Sequence, residues 1–421
     1  MRRFGIYLSL SVLSALCAAQ PATNPVILRD VPAEVLFPYK NTLDAQSPFV
    51  LECLTVNKNS QKVSYKWTKN GQPLDLKANP NIVQRQGEGS LVFINPGQND
   101  QGVYQCFAET PQGIASTRPI NVKTTFLEVP KAEPVHHKPV EGRPYKLDCP
   151  KPNAYPEPTI TWRSQLATDP SISDDVRDKR ITVGPDGALY IANVTEKEVS
   201  DRFVYVCLGK SPAVRDEVPL AKHFIDSLTE DKQKKDNEVV EQYLTKELTA
   251  KVGEQIYLYC IYGGNPLAHP DWFRDGKDIN NEPNSRITRY NRSAGKRLLI
   301  REVLPEDAGE YMCVANNEVG KVKKHTMKLS VISAPIFKKK PEQQMNVREG
   351  QDVTIPCEIT AIPPATTSWT YNAAPIGKDR MTVTNTGLTI KKVQKTDSGY
   401  YGCSAKNVHG QNYAETVLIV A

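Results

Sequence analysis

The sequence predicts an all-β chain of four tandem two-sheet sandwiches, and three regularities carry that expectation. Eight of the nine cysteines fall as Cys53 and Cys106, Cys149 and Cys207, Cys260 and Cys313, and Cys357 and Cys403, separated by 53, 58, 53 and 46 residues. The chain's four tryptophans, Trp67, Trp162, Trp272 and Trp369, each follow the first cysteine of a pair by 12 to 14 residues. Each second cysteine closes a related heptapeptide: "DQGVYQC", "DRFVYVC", "DAGEYMC" and "DSGYYGC". Self-similarity at roughly 100 residues marks a repeated structural unit.

The spacing has a physical reading. One cysteine on each sheet lets a disulfide bridge the sandwich beside a buried tryptophan, and a tyrosine two residues before the second cysteine sits where its hydroxyl can bond back to the backbone. Tyr104, Tyr205, Tyr311 and Tyr401 occupy that position. Each bridge closes a loop of about 50 residues and is expected to contribute on the order of 4 kcal/mol through the unfolded chain. On these motifs the whole mature chain resembles the immunoglobulin superfamily, in its I-set form. The second unit departs from the pattern: Phe203 replaces the glycine found at Gly102, Gly309 and Gly399, and "TEKEVSD" lengthens the approach to the second cysteine. An altered turn is expected there.

The elements follow in order. Arg2 and Arg3, an apolar run from Phe4 to Cys17, and the small residues Cys17-Ala18-Ala19 read as a signal peptide over residues 1–19. Its removal takes 53 basic side chains to 51 against 47 acidic ones, a net charge of +4 that is too weak to argue for nucleic acid. The remaining even set of cysteines suits an exported, disulfide-bonded protein. The expected domains are residues 24–123, 124–225, 243–332 and 333–421, with a linker over 226–242. That linker, "DSLTEDKQKKDNEVVEQ", is polar and charged. Some 15 of its residues, extended, reach roughly 50 Å, enough for domain three to turn back beside domain two. A horseshoe is therefore expected, with domain one against domain four and domain two against domain three.

Within the superfamily the chain resembles the secreted four-domain immune proteins of insect haemolymph, themselves related to neuroglian-type neural adhesion molecules. The stretches that carry this are "PAEVLF", "EGSLVF", "RITRYNRSAGKRLLI", "NNEVGK", "PCEITAIP", "GYYGC" and "YAETVLIVA". The resemblance implies an extracellular haemolymph protein that binds bacterial lipopolysaccharide and lipoteichoic acid, associates with haemocytes, and self-associates in a calcium-dependent way. The alternatives are a homophilic cell-adhesion modulator or a soluble decoy for a protein ligand. An enzyme is not expected: the six histidines show no metalloprotease spacing, every mature cysteine is committed, and no cofactor or metal ligand set is visible.

Four aspartates, Asp100, Asp201, Asp307 and Asp397, stand six residues before the second cysteines. The superfamily resemblance implies pairing with an arginine that opens a strand: Arg180, Arg286 and Arg380, with Asn81 in that place in domain one. The most basic stretch is "RITRYNRSAGKRLLIRE", residues 286–302, which has no acid before Glu302. Position 289 is arginine where domains two and four have Val183 and Val383, a register that faces the core, so Arg289 needs a partner or an exit to water. In "RLLIREV", Leu298 and Ile300 alternate inward while Arg297, Leu299 and Arg301 face out. Arginine's planar fork suits phosphate. Arg289, Arg297 and Arg301, completed by Arg177 and Lys179 of domain two, are thus the candidate anion-binding groups. Two sequons, Asn193 in "NVT" and Asn291 in "NRS", are candidate N-glycosylation sites, and the second lies at the tip of the basic hairpin.

Overall fold

The computed structural model describes residues 24–37, 49–56, 63–94, 96–231, 236–280, 286–377 and 379–421. The signal peptide expected over 1–19 lies outside the described residues. The chain is all-β, and each of its four domains is a two-sheet sandwich.

Domain one shows the plan. One sheet is ordered Glu34–Phe37, Ile120–Thr124, Gly102–Thr110, Ser64–Lys69, Gln72–Pro73, and the facing sheet is Phe49–Leu51, Leu91–Phe93, Ile82–Gln84. The first strand runs parallel to the last, and parallel pairs recur at Pro134–His137, Glu247–Lys251 and Gln344–Val347. Cys53–Cys106, Cys149–Cys207, Cys260–Cys313 and Cys357–Cys403 bridge the sheets, with Cα separations between 6.0 and 6.6 Å. The four tryptophans are buried beside them. In the first three domains the indole N–H donates to a glycine carbonyl in the opposite hairpin: Trp67 to Gly89, Trp162 to Gly187 and Trp272 to Gly295.

The tyrosine and aspartate expectations hold in three domains. The hydroxyls of Tyr104, Tyr311 and Tyr401 donate to the carbonyls of Asp100, Asp307 and Asp397 at 2.8, 3.0 and 2.8 Å. Arg286 forks onto Asp307 at 2.6 and 2.7 Å, Arg380 onto Asp397 at 2.9 Å twice, and Asn81 donates to Asp100 at 3.2 Å. Domain two differs. Arg180 pairs with Glu198 at 2.6 Å, not with Asp201, which is exposed. The reason is the lengthened approach: Thr195 caps a short turn, Glu196–Glu198, and receives Glu198 back on its own amide and hydroxyl. The acid is thereby supplied three residues early. Tyr205, in turn, packs against Ile191, Val194 and Ile225.

One expected boundary begins earlier, and another lies within a strand. Asn237–Leu244 is already a strand of domain three, paired with Ile256–Asn265, so the connection is shorter than 226–242. Its residues 232–235 lie outside those described. The boundary at 332/333 falls inside one continuous 17-residue strand, Lys323–Lys339, which closes domain three and pairs with Glu358–Ile362 of domain four. A backbone ladder shared across the junction makes those two domains a stiff pair.

The chain folds back as a horseshoe. Domain one meets domain four through Ala108, Ala115, Tyr400 and Val417, and the Tyr400 hydroxyl donates to the Val26 carbonyl at 2.8 Å. Domain two meets domain three through Ala188, Tyr190 and Ile261, flanked by Tyr243 and Tyr259. Along Ile256–Asn265, Leu258, Cys260 and Tyr262 enter domain three's core, which leaves Tyr257, Tyr259 and Ile261 on the face toward domain two.

Candidate functional site

The basic hairpin of domain three forms one wall of the seam with domain two. Ile287–Arg289 and Arg297–Ile300 pair antiparallel around a short turn, Asn291–Ser293. The turn closes through left-handed residues at Ala294 (φ 53°) and Gly295 (φ 75°). Gly295 is required twice. Its φ is one that side chains resist, and a Cβ there would stand 2.4 Å from Nε of Arg289. The Trp272 indole holds the Gly295 carbonyl at 2.7 Å, so the core fixes the hairpin that carries the cations.

Each candidate arginine has a definite place. Arg289 folds over the edge of the sandwich: Nη2 donates to the His269 carbonyl at 3.0 Å, and Nη1 lies 3.7 Å from Asp271. Arg297 lies between two rings, its guanidinium 4.6 Å from the Tyr290 centroid and 5.0 Å from that of Tyr257. The Nε groups of both arginines are buried without an acceptor among the described residues. Leu299, on the outward face of its strand, is 5% exposed, as befits the sheet face turned toward domain two. Arg301 stands apart: it lies beyond the strand, its amide bound to the Arg286 carbonyl at 3.1 Å, and four residues along extended chain put it about 13 Å from Arg297. Arg177 is also separate, with its side chain 82% exposed and paired with Asp175 at 2.5 Å.

Lys179 does join the hairpin. Its carbonyl accepts from Nζ of Lys296 at 2.7 Å across the seam. Lys296 is fully buried, and burial pushes its ammonium down to about 7, with Asp178 favouring the charge and Arg180 and Arg297 opposing it. His269 is lowered as well, first by burial and then by the positive charges of Arg289, Lys296 and Lys179. Three cations from two domains thus act on one histidine. Sequence reasoning missed Lys296 and His269. The signal for Lys296 was present: it shares the inward parity of Leu298 and Ile300, which is anomalous for a lysine.

The sequons separate sharply. Asn291 is exposed at the hairpin tip. Asn193 is 5% exposed, and its amide donates to the Gly264 carbonyl of domain three at 2.8 Å. A glycan on that nitrogen is incompatible with the closed seam.

The other seam is acidic at its centre. Glu415 of domain four accepts from the Ser116 amide and hydroxyl and from the Tyr413 hydroxyl. Burial nonetheless raises its carboxyl to about 7, against the lowering effect of those bonds. A cavity of about 430 Å³ opens beside it, lined by Arg29, Arg118, Phe337, Lys340 and Tyr400 among others, away from the arginine hairpin. Among the described residues no group of three or more His, Cys, Asp or Glu side chains is placed to hold a metal ion, and no helix is long and apolar enough to cross a membrane.

Comparisons with known proteins agree with this geometry. The immunoglobulin I-set domain family matches residues 239–331 and 335–420, and a second immunoglobulin domain family matches 32–110. Domain two, with its altered turn, lies outside these spans. Hemolin of Manduca sexta is 48% identical over 414 residues, covering 98% of each chain, and hemolin of Hyalophora cecropia is 47% identical over 98% of this chain and 99% of that one. Neuroglian of Drosophila melanogaster is 32% identical over this whole chain, which spans 33% of its length. Among solved structures, the insect immune protein hemolin, described as having a new domain arrangement with implications for homophilic adhesion, superposes with a TM-score of 0.89 at 47% identity, over 94% of this chain and all of that one. Relatives of this kind are non-enzymatic proteins of immunity and adhesion. The chain belongs to the hemolin family of insect immune proteins, within the immunoglobulin superfamily.

Proposed function

We propose that the chain is exported to the haemolymph and there recognises bacterial surfaces, binding the anionic groups of lipopolysaccharide and lipoteichoic acid at the seam of domains two and three. The observation that supports this reading is the basic wall of the seam, where Arg289 folds back to the His269 carbonyl, Arg297 lies between Tyr257 and Tyr290, and Lys296 reaches the Lys179 carbonyl of domain two. Positive charge held together in a half-buried seam opposes itself, and an anion offsets that cost where a solvated hairpin has none to offset. A charge-assisted hydrogen bond contributes about 1.5 to 3 kcal/mol net, so three such bonds, from the exposed Lys179 side chain and from Arg289 and Arg297, would reach the roughly 8 kcal/mol of micromolar affinity. Arg297, held between two tyrosines, belongs to the same wall, whereas Arg177 and Arg301 serve at its approaches by charge alone.

The test is lipopolysaccharide binding by Lys179→Glu combined with Arg289→Gln. A loss of tenfold or more, with an unchanged melting temperature, supports the site; unchanged affinity removes it.

Haemocyte attachment and self-association form the second part of the reading, supported by the implication of homophilic adhesion drawn for the hemolin structure and by the two within-chain seams, which a second copy can supply instead. Sedimentation equilibrium with and without calcium tests this, and a strict monomer at all concentrations contradicts it.

A further inference from the structure

The Asn193 sequon is buried by a partner that is made after it. Asn193 follows the strand Leu189–Ile191 and precedes the turn Glu196–Glu198. Its backbone is held by its own domain, since Arg180 donates to the Asn193 carbonyl at 2.8 Å. Its amide reaches out of domain two to Gly264, 71 residues downstream, and the Gly264 amide donates back to the Ala192 carbonyl at 2.9 Å. This two-way bridge is tight. A single Cβ added at Gly263 would stand 2.4 Å from Pro144 and 2.7 Å from the Ala192 carbonyl. A sugar ring has far less room than a methyl group.

The group that accepts this amide belongs to domain three. While the chain is being made, domain two is complete before Gly264 exists, and the amide stands open. N-terminal domains fold first during synthesis, so an exported chain presents "NVT" to the glycosylating machinery before the seam can close. The transfer forms a bond from Nδ2 to C1 of the first sugar of a lipid-pyrophosphate-linked oligosaccharide. The C1–O bond to the pyrophosphate breaks, the lipid pyrophosphate leaves with the electron pair, and one amide proton passes to solvent.

We propose that Asn193 is a modification site at which glycan occupancy and horseshoe closure exclude one another, so that a sugar added there holds domains two and three apart. The inference rests on the reading that the chain is exported. Without the second seam, the contact of domain one with domain four loses the effective concentration that the fold-back supplies. The glycosylated chain is then extended, with both interdomain faces available to a second copy. Asn291 differs: it is exposed in the closed form, so a glycan there is neutral to closure and serves as an internal control.

The test is secretion of the full chain from cultured insect cells, separation of compact from extended molecules by size-exclusion chromatography coupled to small-angle scattering, and glycopeptide mapping of each fraction. A compact chain of about 400 residues has a radius of gyration near 21 Å. Four sandwiches in line, each about 33 Å long, give a rod of about 130 Å with a radius near 38 Å. The expected result is Asn193 glycan confined to the extended fraction. Thr195→Val, which keeps Asn193 and removes the sequon, should convert that fraction to the compact form while leaving Asn291 occupancy unchanged; Thr195→Ser keeps both cap and sequon and should retain it. Asn193 glycan in the compact fraction overturns the proposal. So does secreted protein with Asn193 bare throughout, which leaves export intact. A chain retained in the cell with both sequons bare overturns the export reading and this proposal together.

Discussion

Lys296→Met isolates the electrostatic cost of closing the seam between domains two and three. Lys296 is fully buried in the closed form, and its ammonium titrates at about 7 there against an ordinary 10.5. Because the closed-form value is depressed, closure has its full stability above about 10.5 and loses it progressively as pH falls toward 7, below which the penalty is constant. The slope is about 1.4 kcal/mol per pH unit, so between pH 7.5 and 9.5 closure should strengthen by about 2 to 3 kcal/mol. Methionine fills the stem's volume and carries no charge. It forfeits the bond to the Lys179 carbonyl, a net contribution of about 1 kcal/mol, but removes the larger burden of burying the ammonium. Dye pairs on domains two and three, read by energy transfer across that pH range, should report a rising closed fraction in the parent chain and a flat, mostly closed response in the variant. Parallel pH profiles for the two proteins would show that Lys296 does not sense closure and refute the reasoning.

Other expectations are independent of that one. Glu198→Gln breaks the buried pair with Arg180 and should cost domain two on the order of 3 kcal/mol, seen as a fall in melting temperature, whereas Asp201→Asn, at an exposed position, should stay within about 0.5 kcal/mol of the parent. Glu415, with its carboxyl raised to about 7 at the other seam, has the opposite sign to Lys296. The contact of domains one and four is strongest below the ordinary carboxylate value of 4.5 and weakens as pH rises to 7. The rise from 4.5 to about 7 bounds the effect at about 3 kcal/mol, at about 1.4 kcal/mol per pH unit. Glu415→Gln should abolish that slope in scattering profiles taken between pH 4.5 and 7.

Much of the fold was legible because disulfide, tryptophan and tyrosine obey fixed offsets within a sandwich, and the same offsets recur four times. The fold-back could be anticipated only as an allowance of linker length. The residues that seal it, Asn193 against Gly264 and Lys296 against Lys179, are 71 and 117 positions apart and carry no local pattern. Arg180 was correctly placed on its strand but given the wrong acid, because the insertion in "TEKEVSD" moves the carboxylate in space while Asp201 keeps the expected count from Cys207. The basic hairpin divided as its siblings suggested: Arg286 braces Asp307, and Arg289 covers the sandwich edge. Position 296 was passed over because arginines drew attention to the outward parity, while the lysine of inward parity was the one that met the neighbouring domain. Asn193 illustrates the same limit. A sequon is a three-residue signal, and its burial depends on a domain it does not contain.

Hydrogen exchange with and without phosphorylated lipid A from lipopolysaccharide tests the recognition site most directly, since it maps contact without altering a residue. The account predicts slowed exchange at residues 177–181 and 287–299, on the two walls of the seam between domains two and three, and weaker protection as salt is raised, because exposed charge pairs are screened. Protection confined to domains one and four, or spread evenly over the chain and indifferent to salt, would contradict it.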